Sequence, residues 1–326
     1  MVFFARRQLR PVLTVLALVI AGLVVVPGHA VPGHAAAAPQ WRYTMVAFSN
    51  DSARDLDVYE SSDGTDYRLL RTAAYRPPAG FVRDASILRH TDGNYYIAYT
   101  TANGASIGIA RSADRLTWEH VTDHKVPFCC ALLPGTGDGT GPDIPVLDRL
   151  PGFKRGPSLS PFTTKAWAPE FVVDGGRVHL LVSMSTGGGF VPYLLTATDP
   201  SLTRWTHPVP LQGLNADRID TTVVKVGSTF HAFVKNETKK VIEHATAPAL
   251  IGPYTPAPAG DWGTLVEGPA VVQLPNGHWR LYLDSYRDGR YLYSDSSDAM
   301  RSWSKAKELP GVSGAARHFG VLREPA

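Results

Sequence analysis

Glu267-Gly268-Pro269-Ala270-Val271-Val272-Gln273-Leu274-Pro275-Asn276-Gly277-His278-Trp279-Arg280-Leu281-Tyr282-Leu283 reads as a β-hairpin opened by a carboxylate. A β-branched run, an Asn-Gly turn and an apolar-aromatic run signal two antiparallel strands. The unit recurs upstream. One copy starts at Asp84, with Ser86-Ile87-Leu88, the turn Asp92-Gly93 and the run 95–99. Another starts at Glu170, with Phe171-Val172-Val173, the turn Asp174-Gly175-Gly176 and the run 178–182. A third starts at Asp220, with Thr222-Val223-Val224, a turn around Gly227 and the run 230–234. Each copy continues into a third strand followed by an aromatic: 107–112 with Trp118, 193–198 with Trp205, 241–247 with Tyr254 and 291–296 with Trp303.

The copies start 86, 50 and 47 residues apart, and His318 opens a partial fifth copy 51 residues after Glu267. Intervals near 50 suit a four-stranded propeller blade, a repeat of about 40–50 residues. The long interval carries an insertion, residues 122–165, rich in Pro and Gly and expected as a loop beside the first blade. The strands missing from the fifth copy occur at the other end of the chain, in 41–48 and 56–62. A blade assembled from both termini closes the ring and leaves no long sheet edge. The expected fold is therefore all-β: one five-bladed β-propeller over residues 39–326, closed by N- and C-terminal strands in one blade.

Residues 1–38 read differently. Arg6, Arg7 and Arg10 precede an uncharged apolar run over 12–26, and small residues follow. That is the pattern of a secretory signal peptide, and the run is short for a membrane span, which needs about 20 residues. The formal charge of +3 belongs to this leader, since 29 basic and 29 acidic residues remain without it. A neutral mature surface gives no support to a nucleic-acid or anionic-membrane partner. A secreted, soluble monomer is expected, with no membrane contact after cleavage. The two cysteines, Cys129 and Cys130, are adjacent, which is neither a disulfide framework nor a zinc-ligand spacing.

In a propeller the innermost strand of each blade lines a central channel, so equivalent residues at the strand starts converge at one mouth. Here they are Asp84, Glu170, Asp220, Glu267 and His318. Four acids and a histidine around one axis are costly by mutual repulsion, and crowded charges of this kind mark functional sites. No phosphate-binding Gly loop, Ser-His-Asp motif or paired-His zinc motif accompanies them.

Five segments together resemble glycoside hydrolase family 43, over the whole expected propeller. They are Val82-Arg83-Asp84-Ala85-Ser86-Ile87, Trp167-Ala168-Pro169-Glu170, Arg218-Ile219-Asp220-Thr221-Thr222-Val223, Val266-Glu267-Gly268-Pro269-Ala270 and Arg317-His318-Phe319-Gly320-Val321. The family usually has Pro after the first Asp, where Ala85 stands. The resemblance implies an inverting hydrolase of plant-type pentose glycans, foremost an α-L-arabinofuranosidase, with β-xylosidase and arabinanase as alternatives. A non-catalytic carbohydrate-binding propeller is the rival from another class. Either would take an oligo- or polysaccharide partner. By the same resemblance Asp84 is the general base and Glu267 the general acid. Asp220 orients the acid and, as a like charge, raises its pKa.

The remaining candidates bind substrate. Glu170 lies where the family places no catalytic group, and is read as a sugar-hydroxyl or backbone partner, or as carrying no function. Trp167 stacks on a sugar or packs in its blade. Phe190, after a Gly triplet, and Arg287, beside Tyr286, sit on expected rim loops. His318 touches the sugar, helps hold a hydrated calcium ion in the channel, or is structural. No cofactor is required by the chemistry.

Overall fold

The structure is a computed structural model that describes residues 40–49, 52–126, 165–185 and 188–326, all within the compact unit Pro39–Ala326. The leader, both cysteines and most of the inserted segment lie outside the described residues. The rest is five four-stranded antiparallel sheets. The first blade holds β4 (Arg83–Arg89), β5 (Tyr95–Thr100), β6 (Ser106–Ser112) and β7 (Glu119–Lys125). The second holds β8 (Lys165–Asp174), β9 (Arg177–Ser185), β10 (Val191–Thr196) and β11 (Val209–Pro210). The third holds β12 (Arg218–Val226), β13 (Thr229–Asn236), β14 (Val241–Ala247) and β15 (Thr255–Pro256). The fourth holds β16 (Glu267–Gln273), β17 (Trp279–Ser285), β18 (Arg290–Ser296) and β19 (Lys307–Glu308).

The fifth blade joins the termini in the order β20-β1-β2-β3, from β20 (Ala316–Pro325), β1 (Trp41–Ser49), β2 (Leu56–Ser61) and β3 (Arg68–Tyr75). Trp41 pairs with Pro325 at one end of that junction and Ser49 with Ala316 at the other. The innermost strands β4, β8, β12, β16 and β20 each pack beside the next, and β20 meets β4 to close the ring. The five-bladed propeller expected from the repeats is thus present, with its termini locked in one sheet.

Five apolar cores lie one at each blade junction. The recurring aromatic after the third strand is what fills them. Trp118 packs with Val46 and Val58 of the fifth blade, and Trp205 with Tyr96 and Ile109 of the first. Tyr254 packs with Val172 and Leu181 of the second, and Trp303 with Phe233 of the third. Tyr67 does the same between the fifth blade and the fourth. Each therefore binds its own blade to the preceding one. Removing a core aromatic of this kind costs about 3–5 kcal/mol.

The inserted segment begins later than its composition suggests. Residues 122–125 complete β7, and Lys165 already belongs to β8. β7 is mostly exposed, so it carries no apolar alternation to announce itself.

Candidate active site

The channel mouth is built from one irregularity repeated five times. Each innermost strand slips register near its start: between Arg83 and Ser86, Trp167 and Glu170, Ile219 and Thr222, Glu267 and Ala270, and Arg317 and Gly320. At each slip one residue takes a positive φ: Asp84 at 53°, Ala168 at 48°, Asp220 at 55°, Gly268 at 55° and His318 at 30°. A bulge re-aims the side chains around it, and left-handed backbone at a non-Gly residue persists only where its surroundings hold it.

The bulge corrects the equivalence read from the acidic residues. Asp84, Asp220 and His318 do occupy one position. Glu267 instead precedes its left-handed residue by one, and Glu170 follows Ala168 by two. The five mouth residues are thus not one ring but neighbouring levels of the inner strands. Glu170 is half-buried one step further along the channel, where Thr222 Oγ1 donates to it at 3.3 Å. Burial pushes its carboxyl up to about 7.

The bulges are tied across the blade junctions. Ala168 N–H donates to Thr100 Oγ1 at 2.9 Å, Asp220 N–H to Ser183 Oγ at 3.0 Å and His318 N–H to Asp284 Oδ2 at 3.0 Å. Each acceptor comes from the second strand of the preceding blade, and the three sit at matching register, opposite Arg83, Trp167 and Glu267. At the junction between the third and fourth blades the matching residue is Lys235, opposite Ile219. An ammonium cannot accept. Gly268 N–H therefore goes to Asp220 Oδ2 at 3.2 Å, and Lys235 Nζ donates to Glu267 Oε2 at 2.8 Å.

Asp84, Asp220 and His318 meet directly. His318 Nδ1 is 3.3 Å from Asp84 Oδ1 and 3.8 Å from Asp220 Oδ2, while Thr100 Oγ1 donates to Asp84 Oδ2 at 2.9 Å. Burial alone would disfavour an imidazolium, but Asp220 and Asp84 outweigh it and raise the His318 pKa. Burial pushes Asp220 itself up to about 6, against the pull of His318.

Glu267 behaves otherwise than expected. Burial pushes its carboxyl up, yet Lys235 on one oxygen and Arg317 Nη2, 2.9 Å from the other, hold it below the usual carboxylate range. The like charge of Asp220 is not what decides its ionisation in the free protein. Lys235 and Asp284, both almost wholly buried, are site residues that sequence reasoning missed. Their only signal is position, near the end of the second strand, where the first two blades carry the acceptors Thr100 and Ser183.

Trp167 and Phe190 come together at the second blade, with ring centroids 5.2 Å apart and Lys165 Nζ 4.9 Å from the Trp167 ring. Trp167 is partly open, so it is available as a stacking surface. Phe190 is buried, 7% exposed, and supports Trp167 rather than facing solvent from a rim. Arg287 is exposed, with its guanidinium 5.9 Å from the Tyr286 ring, and that ring lies 4.9 Å from Lys235 Nζ. Among the described residues no three His, Cys, Asp or Glu side chains converge as metal ligands. His318 Nδ1 faces two carboxylates that favour its protonated form, and an imidazolium nitrogen ligates no metal. That nitrogen therefore does not ligate calcium directly; the expected hydrated calcium, which His318 would touch through water, is a different contact, and no chemical step here involves an ion.

A five-bladed ring with carboxylates, a histidine and paired cations gathered at one mouth is the architecture of a propeller glycoside hydrolase. The chain belongs to the family 43-related glycosyl hydrolases: the family model described as "Probable glycosyl hydrolase domain" matches residues 42–323. It is 24% identical over 302 residues to an α-L-arabinofuranosidase of Bifidobacterium longum subsp. longum, covering 79% of this chain and 27% of that protein. The chain thus spans about a quarter of that relative's length. Solved structures with the same fold include a family 43 β-1,3-galactosidase with galactodeoxynojirimycin (TM-score 0.60, 12% identity, 82% of this chain and 90% of that one). Others are an exo-β-1,3-galactanase from Clostridium thermocellum (0.59, 11%, 85% and 62%) and an endo-1,4-β-xylanase from Bacteroides thetaiotaomicron (0.53, 11%, 87% and 86%).

Proposed function

We propose that the protein is an exported, inverting glycosidase of pentose glycans, first of all an α-L-arabinofuranosidase. The observation that carries the reading is the joining of Asp220 to the Glu267-Gly268 backbone, with His318 linking Asp220 to Asp84. Asp84 then takes a proton from the water that attacks the anomeric carbon, as the bond to the leaving oxygen breaks. Glu267 gives that oxygen its proton. His318 and Thr100 hold the Asp84 carboxylate in place. The cations on Glu267 keep it ionised while the site is free. Sugar hydroxyls that engage Lys235 and Arg317 would loosen that hold and let the acid take up its proton beside Asp220.

The named arabinofuranosidase relative supports the sugar assignment. A β-1,3-galactoside is the second reading, favoured by the β-1,3-galactosidase and the exo-β-1,3-galactanase among the fold neighbours. A screen of nitrophenyl α-L-arabinofuranoside, nitrophenyl β-D-xyloside, linear arabinan and β-1,3-galactan separates them. NMR of the first-formed anomer of the released sugar tests the mechanism. An inverted product is expected, and a retained one would overturn the base role of Asp84.

A further inference from the structure

Five charged side chains form an alternating row through Glu267. Glu237 Oε2 is 2.8 Å from Lys235 Nζ, and the same nitrogen donates to Glu267 Oε2 at 2.8 Å. Arg317 Nη2 donates to Glu267 Oε1 at 2.9 Å, and its Nε donates to Asp284 Oδ2 at 2.7 Å. The order is carboxylate, ammonium, carboxylate, guanidinium, carboxylate. The two outer acids come from different places: Glu237 follows β13, and Asp284 lies on β17, 1% exposed.

The row has one consequence that Glu267 and its two cations alone would lack. If Glu267 takes a proton, what remains is two complete ion pairs, Glu237 with Lys235 and Asp284 with Arg317. Neither cation is left uncompensated. Without the outer acids, protonating Glu267 would leave Arg317 without a paired carboxylate and Lys235 with only the longer-range charge of Asp220, in a largely buried site, which is unfavourable. We propose that Glu237 and Asp284 are positioning residues that each hold one cation in reserve, so that Glu267 can carry its proton at working pH. The proposal rests on Glu267 being the general acid.

Other charges face Glu267 as well. From β12 comes Asp220, and from β20 His318, whose imidazole also touches Asp84 of β4. Lys240 pairs with Glu237 from the solvent side, and the Tyr286 ring lies against Lys235. Of these, the Asp220 carboxylate also acts on Lys235, at longer range; Glu237 and Asp284 are the acids other than Glu267 in direct contact with the two cations.

The test is the pH profile of kcat/KM on an alkyl glycoside, whose leaving group needs a proton. In Glu237→Gln the ammonium keeps Glu267 as its one contacting carboxylate, with Asp220 at longer range, so the acid loses its proton at lower pH. The basic limb should fall by about one pH unit, the scale of a single neighbouring charge. At pH 7 the rate should drop about tenfold, recover toward the wild-type value on acidification, and be restored by Glu237→Asp. A merely structural role would lower the rate at every pH. Asp284→Asn should act in the same direction, but its buried oxygen also accepts from His318 N–H. Glu237→Gln, at the edge of the site, keeps the test decisive if that variant does not fold. A basic limb unmoved in Glu237→Gln would overturn the proposal. Failure of the acid reading is seen separately: Glu267→Gln would then lose alkyl and nitrophenyl glycosides in equal proportion.

Discussion

Asp220 Oδ2 accepts the backbone N–H of Gly268, 3.2 Å away, one residue beyond Glu267. That bond exists because Lys235 cannot act as the acceptor that Thr100, Ser183 and Asp284 provide at three other junctions. It also requires Gly268 itself. Its φ of 55° is left-handed, and a Cβ there would stand 2.7 Å from Cγ of His318.

Gly268→Ala should therefore push the imidazole away from Asp84 and Asp220. The backbone strain is about 1–2 kcal/mol, which a folded propeller should withstand. The expected result is a small fall in Tm with a large fall in kcat/KM. Full activity in the variant would show that the placement of His318 beside the two acids does not matter.

Glu170 gives a prediction of stability rather than rate. Its folded pKa of about 7 stands above the ordinary 4.5, because burial disfavours its charge. A raised carboxyl contributes stability in full below the unfolded pKa and loses it as pH rises through the folded one. Stability from this group should thus decline between about pH 4.5 and 7, by at most about 3.5 kcal/mol at about 1.4 per unit. Glu170→Gln removes the titration. Its Tm should match the wild type near pH 4 and exceed it near pH 8. Parallel Tm curves across that range would contradict the buried-acid description.

The blades were legible because apolar alternation and turn residues repeat at a fixed interval, and the split blade followed from what each terminus lacked. The fourth strands were not, since β11, β15 and β19 have two residues each and β7 is mostly exposed. Asp84, Asp220 and His318 could be aligned because they share both chemistry and backbone position. Glu170 and Glu267 share only chemistry with them. The bulge that separates them is a φ angle, visible in sequence only as Gly268. Lys235 and Asp284 act across a blade junction, on residues 32 and 33 positions away, so no local motif contains them. Tyr67 was missed among the junction aromatics because its blade is divided between the termini.

A calcium ion remains testable in solution. The Nδ1 of His318 is engaged with Asp84 and Asp220, and the chemistry proposed here uses carboxylates alone. Protein treated with EDTA and desalted should keep its kcat/KM and its Tm. Loss of activity that calcium restores, and magnesium does not, would place an ion in the mechanism.

The division of labour among the acids follows from the leaving group. Glu267→Gln cannot donate a proton, so glycosides with alcohol leaving groups should lose several orders of magnitude in kcat. Nitrophenyl glycosides depart with little protonation and should lose far less. Asp84→Asn should impair both alike, because each needs an activated water. Asp220→Asn keeps an oxygen for Gly268 N–H but removes a negative charge near Glu267. The acid then ionises more readily, and the basic limb of the pH profile should move to lower pH. Glu170→Gln should leave the dependence on leaving group unchanged, since its carboxyl lies a level further along the channel. Its elevated pKa nevertheless makes it, beside Asp220 and His318, a further group able to hold a proton near neutral pH. If the dependence on leaving group appeared in Glu170→Gln and not in Glu267→Gln, the proton donor would be Glu170, and Glu267 would be left as the anchor of Lys235 and Arg317.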